Sequence, residues 1–199
     1  MIPTTRYALA GTLALVLVAT AAPAAVTVGE TAPAFSLPDL HGKTHTLEQQ
    51  RGKVVVLEWI NPNCPVSRRH AEAGTMTGLV DDHSEVVWLG INSTARSHKD
   101  YLEAKSHLAY NAKHGIEYPV LYDVSGAVGH AYEATTTPHM IVIDQAGTVV
   151  YDGAIDDDPY GRAEAPRNYV AAALAAQAAD RPADPAKTKP YGCSVKYGA

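Results

Sequence analysis

Cysteine is nearly absent from this chain: two residues, Cys64 and Cys193, occur among 199. At most one intramolecular disulfide can form, so a fold built on a disulfide framework is excluded. Basic charge is also short, with 16 Lys and Arg against 21 Asp and Glu and no basic run. That leaves no electrostatic footprint for nucleic acid. Long apolar runs are missing too. The longest stretches from about Tyr7 to Ala22, short of the ~20 residues a membrane span needs. Histidine is more plentiful, but His41 with His45 and His107 with His114 match no compact ligand set, so no metal centre and no cofactor are expected. No internal repeat is present.

What the N-terminus does have is a targeting pattern. Arg6 is the only charge in the first 25 residues, the apolar stretch follows, and Ala22-Pro23-Ala24 supplies a small-residue cleavage site. Residues 1–25 are therefore expected to be a signal peptide, with an uncleaved anchor as the alternative. The mature protein is expected to be exported to the periplasm or another extracytoplasmic space, without stable membrane insertion. Residues 26–180 are long enough for one domain with its own core. From 181 to 199 a Pro-rich segment without apolar period carries Cys193 and is expected to be a mobile arm. An exported chain meets oxidising conditions in which a disulfide persists.

Cys64 stands where chemistry would be placed. The run Val54-Val55-Val56-Leu57 predicts a buried strand, and Asn61-Pro62-Asn63 a turn. Pro65 fits the first position of a helix, where its missing N–H costs nothing. Unpaired N–H groups at a helix start favour a thiolate, so a cysteine there has a lowered pKa and acts as a nucleophile. The competing reading is an inert buried cysteine. The turn before Cys64 and Pro65 after it argue against deep burial. Glu58 lies in the same strand, on the face shared by Val54 and Val56, with Val55, Leu57 and Trp59 on the other. A carboxylate in a strand buried on both sides is costly unless paired or protonated. A strand-end carboxylate that reaches solvent or pairs with Lys53 is the alternative.

Further elements are predicted in alternation. A hairpin forms around Leu40-His41-Gly42, a helix runs from Pro65 to about Asp82, a strand covers 85–92, and a helix covers 97–114. A short extended piece (118–122), a short helix (125–132), a hairpin around Gln145-Ala146-Gly147 and an alanine-rich helix (167–179) follow. Asp156-Asp157-Asp158 reads as a solvated turn. The order predicts an α/β three-layer sandwich with a mixed central sheet.

These landmarks together resemble the thioredoxin fold, and more narrowly the redoxin group named for alkyl-hydroperoxide reductase and thiol-specific antioxidant proteins. The opening Val28-Gly29-Glu30-Thr31-Ala32-Pro33-Ala34-Phe35, the strand Gly52-Lys53-Val54-Val55-Val56-Leu57 and the Thr137-Pro138 step before an apolar strand carry the likeness. With Asn-Pro-Asn-Cys-Pro and the terminal Gly192-Cys193-Ser194, the pattern is most similar to the peroxiredoxin-like branch. Two departures stand out. Cys-Pro-Val-Ser puts Ser67 where thioredoxin-like reductants carry a second cysteine. Leu57 and Asn61 stand where peroxiredoxins carry the proline and threonine of their own motif.

The resemblance implies an oxidoreductase with antioxidant character, using Cys64 as nucleophile on a disulfide or, alternatively, as a peroxidase. It implies Glu58 as proton carrier and a cis-Pro138. Thr137, Pro138, Pro65 and Trp59 would form a substrate groove. Cys193 is the only remaining partner that could resolve Cys64, and the arm is long enough to return, although a permanent staple or a thiol that pairs between chains would also use it. Partners would be a protein disulfide or peroxide and an external, thioredoxin-like thiol reductant. A reading of another class keeps the fold without catalysis, as a holdase or as a copper carrier using Cys64, His139 and Met140.

Overall fold

A five-stranded mixed sheet organises the chain, with strand order β5-β4-β3-β7-β8. Its members are β3 (Val55–Trp59), β4 (Val87–Asn92), β5 (Val120–Tyr122), β7 (Met140–Ile143) and β8 (Val149–Gly153). The first three are parallel, and β7 and β8 are antiparallel to their neighbours. This computed structural model describes residues 26–198; the expected signal peptide, 1–25, lies outside the described residues. Two small sheets flank the main one. A hairpin joins β1 (Ser36–Pro38) to β2 (Thr44–Thr46), and β6 (Thr136–Thr137) pairs with β9 (Cys193–Ser194).

Every residue of β3 is buried, as a central strand covered on both faces must be. Val56, Ile60, Met140, Val142 and Tyr151 point to one layer, which holds α1 (Pro65–Glu72), α2 (Thr75–Asp82) and α5 (Tyr169–Ala178), with α3 (Ala104–Lys113) packed beside them. Val55, Leu57, Trp59, Leu89, Ile91 and Ile141 point to the other, against the β1–β2 hairpin and the end of α4 (Ala127–Ala131). The result is the predicted three-layer sandwich.

Four expectations are corrected. The helix predicted from Pro65 to Asp82 is two helices, because Gly74 adopts φ +66° and breaks the ladder there. The helix predicted from 97 starts only at Ala104. Ahead of it, local bonds such as Asp100 N–H to His98 Nδ1 (3.1 Å) compete with a helical turn. The Pro-rich arm is docked rather than free. From Lys187 to Tyr197 it lies across the body as a strap, held by residues placed one at a time: Lys187 pairs with Asp152, Tyr191 donates to Asp156, and the Val195 N–H donates to the Thr135 carbonyl. Asp156 is accordingly a buried anchor of the strap, and Asp158 is buried too, its carbonyl accepting Arg69 and its carboxylate the Ala163 N–H, so the segment is not the solvated turn its sequence suggested.

Candidate active site

Cys64 is the residue just before helix α1, and its own sulfur caps that helix. The Ser67 N–H donates to Sγ at 3.5 Å, and Pro65 occupies the first helical position. The loop ahead is fixed by Asn61, whose Oδ1 accepts the Asn63 N–H at 2.8 Å and whose amide donates to Thr94 Oγ1 at 3.1 Å. Arg68 reaches back to the Pro62 carbonyl at 3.1 Å. The turn and helix start read from the sequence are thus both present, but the exposure they suggested is not. Cys64 is only 2% exposed, because the strap closes over it.

The strap brings Cys193 to the same place. In the β6–β9 register Cys193 lies opposite Thr137, and the Thr137 carbonyl accepts the Cys64 thiol at 3.0 Å. Both cysteines are in the reduced, free state. Burial works to raise the Cys64 pKa, yet hydrogen bonds from the Cys193 thiol, the Ser67 N–H, the Thr137 side chain and the Cys193 N–H outweigh it, and the net shift is downward. The opposite holds for Cys193, pushed up to about 11 by burial and by the adjacent Cys64 sulfur. One thiol is prepared to ionise and its neighbour to keep its proton.

Thr137–Pro138 is a cis peptide bond, and both residues are buried beneath the strap. His139, next in sequence, is a core histidine. Its Nε2 meets Asp152 Oδ1 at 2.7 Å and its Nδ1 accepts the Thr135 N–H at 3.3 Å. Both ring nitrogens are therefore engaged within the protein, which disfavours the copper set of Cys64, His139 and Met140. Among the described residues, no group of three His, Cys, Asp or Glu side chains gathers as for a metal.

Glu58 is fully buried on the helix-covered face. Its Oε2 accepts Tyr118 Oη–H at 2.7 Å and Trp88 Nε1–H at 3.2 Å, while Oε1 has no partner. Burial lifts its pKa to about 7 against the pull of those two donors. No ion pair with Lys53 forms. The Tyr110 phenol is pushed up to about 12, by burial first and then by the charge of Glu58.

The structure thus gathers Cys64, Cys193, Thr137 and Pro138 at one point, with Pro65 on the surface beside them. Glu58 stands behind, in the core. Trp59 does not join the groove. It is fully buried on the opposite sheet face, donates Nε1–H to Ser93 Oγ at 3.1 Å, and packs on Tyr132. Strand alternation, which separates Trp59 from Glu58, carried that signal. Trp88 and Tyr118, the His139–Asp152 pair and the anchors of the strap were not found from the sequence. Only Trp88 had a readable cue, two positions before the Gly90 that pairs with Glu58 across parallel strands.

Comparison with known proteins agrees with this geometry. The family model described as AhpC/TSA family matches residues 28–152. A thiol-disulfide oxidoreductase ResA from Geobacillus kaustophilus (strain HTA426) is 28% identical over 127 residues, 63% of this chain and 68% of that protein. Among solved structures, a hypothetical protein from Sinorhizobium meliloti 1021 superposes with a TM-score of 0.79 at 25% identity, covering 88% of this chain and 97% of its own. An uncharacterized conserved protein from Geobacillus kaustophilus superposes with a TM-score of 0.77 at 28% identity, covering 86% and 93%.

Proposed function

The chain belongs to the AhpC/TSA family, and on that premise we propose that it is an exported thiol–disulfide oxidoreductase with antioxidant character. Cys64 is its nucleophile, Cys193 its resolving thiol and Glu58 its proton carrier. The observation that carries the reading is that the β6–β9 register sets Cys193 opposite Thr137, whose carbonyl accepts the Cys64 thiol, so that two free thiols meet at one point. The named relative, a thiol-disulfide oxidoreductase, supports the reaction class. The sequence of residues 1–25 supports export.

The Cys64 thiolate attacks one sulfur of a disulfide; a Cys64–substrate bond forms and the other sulfur leaves as a thiolate. Cys193 then gives up its proton and attacks the Cys64 sulfur, closing the Cys64–Cys193 bond and expelling the second substrate thiolate. Glu58, buried and titrating near neutrality, accepts the resolving thiol's proton and returns one when the pair is reduced. An external thiol reductant restores both cysteines. A disulfide is favoured over a peroxide because the Asn61 side chain, at the position of the peroxidase threonine, is already spent on Asn63 and Thr94.

Mass spectrometry of reduced protein after one equivalent of a small disulfide tests the cycle. A Cys64–Cys193 peptide pair is expected to appear and then vanish under mild dithiol. If Cys64 oxidises while Cys193 stays free, the resolving role is lost. A second expectation follows from the hydrogen bonds on Sγ. Alkylation rates against pH place Cys64 below the ~8.5 of free cysteine, and Cys193→Ala, which removes a donor, raises that value. An unchanged value in the variant would mean that Cys193 does not tune Cys64.

A further inference from the structure

The strap is received by features shaped for it. Lys187 Nζ pairs with Asp152 at 2.8 Å. Thr188 Oγ1 accepts the Ala154 N–H at 2.8 Å and fills the space a side chain on Gly153 would need. Tyr191 donates to buried Asp156 and meets His70 Nε2, on the Cys64 helix, at 3.1 Å. Gly192, at φ +135°, lies so close to the Thr137 carbonyl that a Cβ would overlap it. The last anchor is Tyr197. Its hydroxyl donates to the Ala134 carbonyl at 2.7 Å, its ring stacks on His130, and it occupies the hollow left by Gly126 and Gly129, where a Cβ on either glycine would strike it.

Between these anchors, β9 is the partner of β6, and the two form a sheet of their own. The backbone edge of Thr136–Thr137, whose carbonyl touches the Cys64 thiol, is therefore taken by the chain itself. A disulfide carried on an extended stretch of another protein would have to align with that same row of N–H and C=O groups to reach Sγ. Two strands cannot share one edge. A small disulfide needs no backbone partner, and Cys193, unlike Cys64, is partly exposed and marks a side from which a small molecule approaches.

We propose that the strap sets the substrate class of the Cys64 site: low-molecular-weight disulfides, which need no backbone edge, reach buried Cys64 by local movement at the partly exposed Cys193, whereas protein disulfides are excluded until Tyr197 leaves its glycine hollow and the β6 edge is freed. The proposal rests on Cys64 being the nucleophile. Tyr197 is the release point because it is the side-chain anchor beyond β9, next to the Lys196 carbonyl that accepts the Ala95 N–H at 2.7 Å; its departure loosens that bond, then Val195 and Cys193, while Tyr191 holds the upstream end. Each chemical step is the exchange already described, one substrate thiolate leaving for each sulfur–sulfur bond formed.

Two variants act on opposite sides of one contact. Tyr197→Ala removes the ring, and Gly129→Ala, within helix α4, fills its hollow. Reduced full-length protein is mixed with either bis(2-hydroxyethyl) disulfide or insulin, without added reductant, and loss of free Cys64 is followed by mass spectrometry. Circular dichroism confirms that each variant is folded. The wild-type protein is expected to react with the small disulfide and only slowly with insulin. Both variants are expected to accelerate the insulin reaction at least tenfold while changing the small-disulfide rate by less than threefold. Wild-type protein that consumes both at matched rates overturns the proposal, as do folded variants with an unchanged ratio. If Cys64 reacts with neither disulfide in any form, the oxidoreductase reading itself fails and the proposal falls with it.

Discussion

Cys64→Ser is expected to lose disulfide exchange by at least ~10³-fold while keeping its fold. A hydroxyl has too high a pKa to supply the attacking anion, and removing a nucleophile typically costs this much or more. The fold survives because serine is among the best residues to precede a helix, and its oxygen can accept the Ser67 N–H that Sγ now accepts. Cys193, left alone with burial still holding its thiol protonated, does not substitute. Cys193→Ser behaves differently: Cys64 still reacts but halts at a mixed disulfide with the substrate or oxidises further. Turnover with a small disulfide, paired with peptide mapping, separates the two. Retention of a tenth or more of the activity in Cys64→Ser would move the nucleophile to Cys193.

Glu58→Gln is expected to raise stability above neutral pH and to flatten the pH profile of exchange. Folding lifts this carboxyl from 4.5 to about 7. Between those values the folded chain holds more protons than the unfolded one, so stability falls as pH rises from about 4.5 through about 7 and stays lowered above that. The loss amounts to roughly 3 kcal/mol. Glutamine does not titrate, and its carbonyl can accept Tyr118 and Trp88. Its amide would stand where Oε1 has no partner, which returns about 1–3 kcal/mol of the gain. Thermal melts at pH 5 and pH 8 check the sign: the wild-type midpoint should drop between them more than the variant's, by several degrees. Turnover should slow in the variant and lose the inflection near neutrality. Identical profiles would make Glu58 a structural residue.

The parts of this fold that could be read in advance are those in which neighbours in sequence are neighbours in space. Alternation along Val55–Trp59 assigned each side chain to its face, and the Pro65 signal placed Cys64 at a helix start. Where the chain's partners are remote, the reading failed. The strap has no apolar period, because its stability comes from single side chains entering single hollows: Tyr197 between two glycines, Thr188 over a third, Lys187 on Asp152. A string of prolines with such contacts looks in sequence like a flexible linker. The depth of Cys64 was misjudged for the same reason, since what covers it comes from the far end of the chain. Trp59, which the resemblance implies for the groove, is turned the other way by the pleating of β3. The two donors on Glu58 come from other strands and loops, where strand patterning says which face a residue takes but not which oxygen it meets.

The placement of Cys193 opposite Thr137 by strand register carries one more consequence. In a Cys-x-x-Cys helix turn the two sulfurs are close whether or not distant parts of the molecule are folded. Here their proximity exists only while β9 is docked, so docking acts as an effective concentration of one thiol at the other. By the thermodynamic cycle linking them, whatever free energy the closed strap contributes to that encounter appears undiminished in the oxidation equilibrium. Each ~1.4 kcal/mol of it lowers the reduction potential of the pair by about 30 mV. Loosening the strap by mutation or denaturant should make the disulfide easier to reduce before the rest of the fold gives way.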